Sequence, residues 1–127
     1  MLLLDTQVFC WLLNGNPRMG ARSRVLIAGS SFVHVSAATI LELTIKSMLG
    51  RLELPLDLEQ IVQEQGMLSL PILASHAAAV RRFPDLVRHD PFDRLLMAQA
   101  SVEGMQLVTA DRALLMTGHP FVVDATT

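Results

Sequence analysis

A single cysteine, a single lysine and no apolar run of membrane length set the first limits on this chain of 127 residues. Cys10 has no second cysteine to pair with, so an internal disulfide is excluded, and its place between Phe9 and Trp11 fits a small core hydrophobe better than a nucleophile. The opening Met1-Leu2-Leu3-Leu4 stops at Asp5, and Val8 to Leu13 is short against the roughly 18 apolar residues of a membrane span. No basic segment and no small-residue cleavage site accompany that start, so a secretory signal is not expected and the expected location is the cytoplasm. The four histidines, His34, His76, His89 and His119, show no ligand spacing, which disfavours zinc. A P-loop, a Gly-x-Gly-x-x-Gly turn and a Gly-x-Ser-x-Gly elbow are all absent. No repeat, linker or low-complexity stretch interrupts the chain. Its 51% apolar content and mean hydropathy of +0.42 exclude disorder and suffice for one packed core, so one domain over residues 1–127 is expected.

What is present is an alternation of short apolar strands and helices. Leu2 to Leu4 reads as a buried strand, and Thr6 to Asn14 as a helix ended by Gly15-Asn16-Pro17. Residues 20 to 29 form a second helix. Phe32 to Val35 is a strand, after which Ser36 caps a long helix through about Leu49, stopped by Gly50. Leu56 to Gln65 reads as a more polar helix, Met67 to Leu70 as a strand, and Ser75 to Phe83 as an alanine-rich helix. Asp90-Pro91 opens a helix that runs to Glu103 and ends at Gly104. Gln106 to Thr109 is a strand, Arg112 to Met116 a short helix, and Phe121 to Val123 a last strand. This order predicts an α/β fold with a mostly parallel sheet covered on both faces.

Four carboxylates, Asp5, Glu42, Asp93 and Asp111, each fall at the edge or on the face of an apolar element. In open α/β sheets ligands gather beyond the carboxyl ends of strands. Asp5, Ser36 and Asp111 follow three strands, and Glu42 and Asp93 can reach the same edge from the helices that follow Ser36 and Asp90. Each acid also has an ordinary reading. Asp5 and Asp111 suit helix N-caps, Asp93 suits a first helical turn, and Glu42 suits an i, i+4 pair with Lys46. Against that last reading, Glu42 lies among Ile40, Leu41, Leu43 and Ile45, on a helix expected to be apolar and buried around much of its girth. Asp90 reads as a cap.

Four converging carboxylates call for a hard cation such as Mg²⁺ or Mn²⁺, which can generate hydroxide and offset phosphoryl charge in an in-line displacement. The net charge of −2 does not oppose a nucleic-acid partner, because without these four acids eight acids remain against ten bases, nine of them arginine. Arg81, Arg82, Arg88, Arg94 and Arg112 fit a phosphate path, although charges in such numbers are more often a solvated face.

Leu3-Leu4-Asp5-Thr6, then Val35-Ser36 followed by Glu42, then Asp90-Pro91-Phe92-Asp93-Arg94-Leu95-Leu96 with Ala98-Gln99-Ala100, then Leu107-Val108-Thr109-Ala110-Asp111, resemble the PIN-domain family. More narrowly, they are similar to VapC toxins of bacterial type II toxin–antitoxin systems. The resemblance spans residue 1 to about 124 and rests on the order and spacing of its motifs. It implies a three-layer sandwich with a central sheet of four to five strands, and a dimeric endoribonuclease dependent on Mg²⁺ or Mn²⁺. It also implies inhibition by a VapB-type antitoxin whose tail occupies a groove by the active site. Carried over by motif, Asp5 and Asp93 are direct metal ligands, Glu42 and Asp111 complete the acidic set, and Thr6 and Thr109 support carboxylates or waters through their hydroxyls. Gln7 departs from the pattern, since close relatives often carry histidine there, and the fourth acid is the least uniform of the set. The expected reaction is attack of metal-activated water on an RNA phosphodiester, with the carboxylates mainly as ligands.

Two other readings fit a small α/β chain. A phospho-receiver module needs an acidic pair directly after the first strand and a lysine after a late strand, where this chain has only Asp5 and Thr109-Ala110-Asp111. A non-catalytic binding protein on the same fold would present apolar residues such as Trp11 and Phe83 to partners, whereas core packing is their expected role.

Overall fold

The computed structural model describes residues 1–53 and 57–127. Five strands, β1 (Leu2–Leu4), β2 (Val33–Ser36), β3 (Leu68–Leu70), β4 (Gln106–Thr109) and β5 (Val122–Asp124), form one sheet in the order β3-β2-β1-β4-β5. All four pairings are parallel, with Leu3 opposite His34 on one side and Leu107 on the other. Their carboxyl ends therefore share one edge, as the alternation of elements predicts.

Seven helices accompany these strands among the described residues: α1 (Thr6–Asn14), α2 (Ala21–Ala28), α3 (Ala37–Met48), α4 (Leu58–Glu64), α5 (Ala74–Ala79), α6 (Pro91–Glu103) and α7 (Arg112–Leu115). Side chains alternate across a strand, and β1 uses both faces. Leu2 and Leu4 join Val8, Phe9, Trp11, Val35, Leu43 and Val62 in one buried cluster. Leu3 joins Phe83, Leu96, Met97, Leu107 and Leu114 in another. The sheet is thus the middle of three layers, which is why its central strand is apolar without alternation. Trp11 and Phe83 are both core residues.

Local chemistry sets the helix ends. Gly15 and Gly104 close α1 and α6 at φ of 66° each, a left-handed conformation that costs glycine nothing. Asp90 caps α6 by accepting from the backbone N–H groups of Phe92 and Asp93, with Pro91 in the first turn.

Two expectations are corrected. The alanine-rich helix ends at Ala79 and tightens into a 3₁₀ turn over Val80–Arg82, because Phe83 precedes Pro84 and is driven out of helical geometry, to φ −121°, ψ 67°. A further 3₁₀ turn follows at Pro84–Leu86. Helix α3 is not buried around most of its girth: Ala38, Thr39 and Leu43 are buried, while Leu41 and Ile45 are 50% and 40% exposed. The expected start of the fourth helix at Leu56 lies outside the described residues.

Candidate metal centre

The cap of α1 supplies the first acid. Asp5 follows β1 and its Oδ1 accepts from the backbone N–H of Val8 at 2.7 Å. Its Oδ2 accepts from the hydroxyl of Thr109 at the end of β4. Asp111 caps α7 in the same way, with Oδ1 accepting from Ala113 at 2.8 Å. Thr109 ties the two caps together, because its Oγ1 also accepts from the N–H of Asp111 at 3.0 Å. The cap reading of both aspartates therefore holds, and in each it engages only one carboxylate oxygen.

Glu42 reaches the same place from the second turn of α3. Its Oε1 accepts from Thr6 at 2.8 Å and its Oε2 pairs with Lys46 at 2.7 Å, so the ordinary reading of Glu42 is realised as well. Thr6 lies 3.1 Å from the buried hydroxyl of Thr39. Ser36 caps α3 by accepting from Ala38, and its own hydroxyl donates to Gln99 on α6, away from the acids. Asp93 stands in the first turn of α6, where the described hydrogen bonds give its carboxylate one partner: Nε2 of His89 at 3.2 Å. The same nitrogen lies 3.3 Å from Oδ2 of Asp111.

Asp5, Glu42, Asp93 and Asp111 line a single open cleft of about 470 Å³, with Thr6, Gln7, Cys10, Trp11, Leu43, Lys46, Arg51 and Leu52 among its other walls. Four acids from four segments thus converge, and Thr6 sits among them. Thr109 acts from behind Asp5, and Ser36 holds the helix that carries Glu42. The cations in the wall are Lys46 and Arg51, and none of the five arginines proposed for a phosphate path is among them. Two of those five, Arg81 and Arg94, line a separate groove with Phe83 and Val87.

The electrostatics follow from crowding. Burial pushes Asp5 up to about 6 against the pull of the Thr109 and Val8 hydrogen bonds, and Asp111 and Glu42 raise it further. Burial, then the charges of Asp111, Asp90, Asp5 and Glu42, push Asp93 up to about 7. Carboxylates held this way lack positive charge. The donor set is chiefly oxygen, which suits a hard divalent cation, so the residues fit the group that the sequence implies. Burial also pushes the Cys10 thiol up, in keeping with an unreactive cysteine.

Residues 2–119 match the family model described as PIN domain. The chain belongs to the PIN domain family. Among curated relatives, this PIN domain is 29% identical over 121 residues to "Ribonuclease VapC22" of Mycobacterium tuberculosis, covering 94% of this chain and 93% of that protein. Two solved structures share its fold. A toxin–antitoxin complex from Klebsiella pneumoniae matches with TM-score 0.68 at 18% identity, covering 98% of both chains. VapBC2 from Rickettsia felis, bound to a DNA fragment from its promoter, matches with TM-score 0.65 at 16% identity, covering 96% of this chain and 95% of that one. The expected sandwich is therefore the fold observed, with five strands in its sheet.

Two neighbours of the acids, Thr39 and His89, carry no signal in the sequence reading, whereas Lys46 pairs with Glu42 as its i, i+4 spacing predicts. Thr39 lies one turn before Glu42 and places its hydroxyl 3.1 Å from that of Thr6. His89 stands four residues before Asp93, a helical i, i+4 spacing that a search for paired histidines passes over.

Proposed function

We propose that this chain is a ribonuclease and the toxin of a type II toxin–antitoxin pair, using Mg²⁺ or Mn²⁺ held by Asp5, Glu42, Asp93 and Asp111. The observation that carries it is the convergence of those four acids in one open cleft, with Asp5 and Asp93 pushed well above the usual carboxylate range. A divalent cation in such a place supplies charge to phosphoryl oxygens and a water acidic enough to act as nucleophile near neutral pH. The protein's own part is orientation. Thr109 and the Val8 N–H hold Asp5, the α7 cap holds Asp111, and Thr6 with Lys46 holds Glu42. Because a bound positive charge offsets the burial and, after it, the repulsion that raise Asp5 and Asp93, these two serve as ligands rather than as a general base.

The substrate class rests on the named ribonuclease relative and on the openness of the cleft, which admits a strand rather than enclosing a small molecule. Lys46 and Arg51 beside the acids suit backbone phosphates. The antitoxin reading, a VapB-type partner reaching the groove by the acids, rests on the toxin–antitoxin complexes that share the fold. The exposed apolar residues Leu41, Ile45, Met48 and Leu49 along α3 support a homodimer. Residues 1–127 act as one domain. No helix among the described residues is long and apolar enough to cross a membrane, in keeping with work in the cytoplasm.

A phospho-receiver is opposed by the place of the only lysine, which lies on α3 bound to Glu42 rather than after a late strand. Incubation with RNA in Mg²⁺, Mn²⁺ or EDTA, beside Asp5→Ala and Asp93→Ala, tests the reading. Cleavage is expected only in wild type with metal. Cleavage that persists in EDTA, or in both variants, overturns it. Metal binding without cleavage favours a binding protein on the same fold.

A further inference from the structure

We propose that His89 is a nitrogen ligand of the cation in the acidic cleft, which makes the centre a mixed imidazole–carboxylate site that discriminates in favour of transition-metal ions over Mg²⁺. The inference rests on the metal reading above and adds a residue and a selectivity that the acidic set alone does not contain.

The first observation is how the acid oxygens are engaged within the fold. Both oxygens of Asp5 accept hydrogen bonds, from Val8 and Thr109, and both oxygens of Glu42 are engaged, by Thr6 and Lys46. Oδ1 of Asp111 caps α7. Each of those oxygens keeps a lone pair for a cation, whereas Oδ2 of Asp111 and the carboxylate of Asp93 have no cap or threonine partner, and among the described residues the one side-chain group facing both is Nε2 of His89.

The second is the geometry of that triangle. Nε2 stands 3.2 Å from Asp93 Oδ2 and 3.3 Å from Asp111 Oδ2, and one ligand atom from each of the three side chains lies within 4.8 Å of the other two. As an ion pair this is poor, since a single ring N–H cannot aim at two oxygens, and both separations exceed the ~2.7–2.9 Å of charge-assisted bonds. As a ligand set it is good: adjacent ligands around an octahedral ion with bonds of roughly 2.1 Å stand about 3 Å apart. The approach is also built in. The backbone N–H of His89 is tied to Leu86 O at 2.9 Å, and Asp90 next to it caps α6, so the ring and Asp93 are displayed from one rigid turn. All three side chains are 21–28% exposed, which leaves a path for the ion.

Imidazole nitrogen favours later transition ions, whereas Mg²⁺ prefers an all-oxygen shell. His89 therefore contributes most to binding of later ions such as Co²⁺ or Ni²⁺, less to Mn²⁺ and little to Mg²⁺. The other histidines are placed elsewhere: His34 bonds to Leu2 O, His76 to Glu103, and His119 packs on Phe83 and Phe121.

Pulsed electron paramagnetic resonance of Mn²⁺ added to the whole chain decides the question. Wild type is expected to show ¹⁴N coupling from a coordinated imidazole. His89→Ala is expected to keep its fold, to bind Mn²⁺ without that coupling and to bind Co²⁺ about tenfold or more weaker, while calorimetric Mg²⁺ affinity changes by less than about threefold. Bound Mn²⁺ with no ¹⁴N coupling, coupling that survives His89→Ala, or equal losses for Co²⁺ and Mg²⁺ overturns the assignment. Coupling present without RNA cleavage removes the nuclease reading and leaves the ligand standing. Cleavage with Mn²⁺ bound and no coupling does the reverse, and absence of any Mn²⁺ binding removes both.

Discussion

Thr109 and Asp5, 104 residues apart in the chain, are joined by a buried hydrogen bond from the Thr109 hydroxyl to Oδ2 of Asp5. Through the same hydroxyl, which accepts from the N–H of Asp111, the ends of β1 and β4 hold two acids of the cleft in fixed relation. This bond opposes the burial that raises Asp5, so its loss acts on charge as well as on structure.

Thr109→Val tests that coupling. Removing the hydroxyl leaves a buried carboxylate oxygen and the Asp111 N–H without their partner, at a cost of about 1–2 kcal/mol. The urea midpoint is expected to fall, and Asp5 is expected to titrate above about 6. Thr109→Ser restores both. A valine variant as stable as wild type, with Asp5 unmoved by carbon-detected NMR titration, contradicts the role.

The pH dependence of the metal-free protein follows from the sign of two shifts. Asp5 and Asp93 are raised from an ordinary 3.8 to about 6 and about 7, so the folded state binds protons more tightly than the unfolded one. Their contribution is present in full below about pH 4 and is lost as pH rises through about 7. In EDTA, thermal stability attributable to these groups therefore declines between about pH 4 and pH 7. Saturating Mg²⁺ or Mn²⁺ removes the decline, because ions bind the deprotonated form of the folded state. Asp93→Asn flattens the EDTA profile, raises stability at pH 8 relative to metal-free wild type, and abolishes the gain from metal. A flat wild-type profile in EDTA removes the electrostatic argument.

Much of this site is legible in the sequence, for a physical reason. Caps such as Asp5, Ser36, Asp90 and Asp111 announce helix starts, and a helix that directly follows a strand of a parallel sheet starts at its carboxyl edge, so the caps Asp5, Ser36 and Asp111 are collected there. Helices α1 and α6 are recognisable to the residue because an aspartate opens them and glycine closes them. Strand order is another matter. That β4 rather than β3 lies beside β1 depends on long-range packing. The exposure of Leu41 and Ile45 was misjudged because apolar content reports what a face is made of and not what covers it. His89 and Thr39 are not legible in the sequence because neither stands at a helix cap, a strand end or a recognised ligand spacing.

Gly20 separates folding from chemistry. A Cβ placed there would stand 2.2 Å from the carbonyl carbon of Thr127 and 2.5 Å from that of Thr126. The same backbone holds residues 124–127 against α2, through Gly20 N–H to Ala125 O and Arg22 N–H to Thr127 O, both at 2.9 Å. Gly20→Ala must displace that segment, at an expected cost of about 1–3 kcal/mol. Cation affinity at 10 °C is expected to be unchanged, because no residue of that contact lines the cleft. A lowered urea midpoint with unchanged calorimetric Mn²⁺ binding is the predicted pair of results. An unchanged midpoint shows that the segment moves aside at no cost.

Gln99 holds the acids in register without touching them. It is wholly buried on α6, two turns from Asp93; its Oε1 accepts from Ser36, and its Nε2 donates to Pro71 O at 3.2 Å and lies 3.3 Å from Nδ1 of His76. Ser36 caps the helix that carries Glu42, so one amide joins the helix bearing Asp93 to the helix bearing Glu42 and to the end of β3. Gln99→Leu keeps the volume but takes the acceptor from the buried Ser36 hydroxyl and removes the part-buried bond to Pro71 O, an expected loss of about 1–3 kcal/mol. If the amide only stabilises the fold, cation affinity of the folded variant at low temperature stays at the wild-type value. If it positions α3 against α6, affinity falls severalfold even where circular dichroism shows the variant fully folded, while Gln99→Glu retains the Ser36 contact and recovers part of the loss. The second outcome is expected, because Asp93 and Glu42 stand on separate helices and Gln99 is the polar contact found between them and the sheet edge they share.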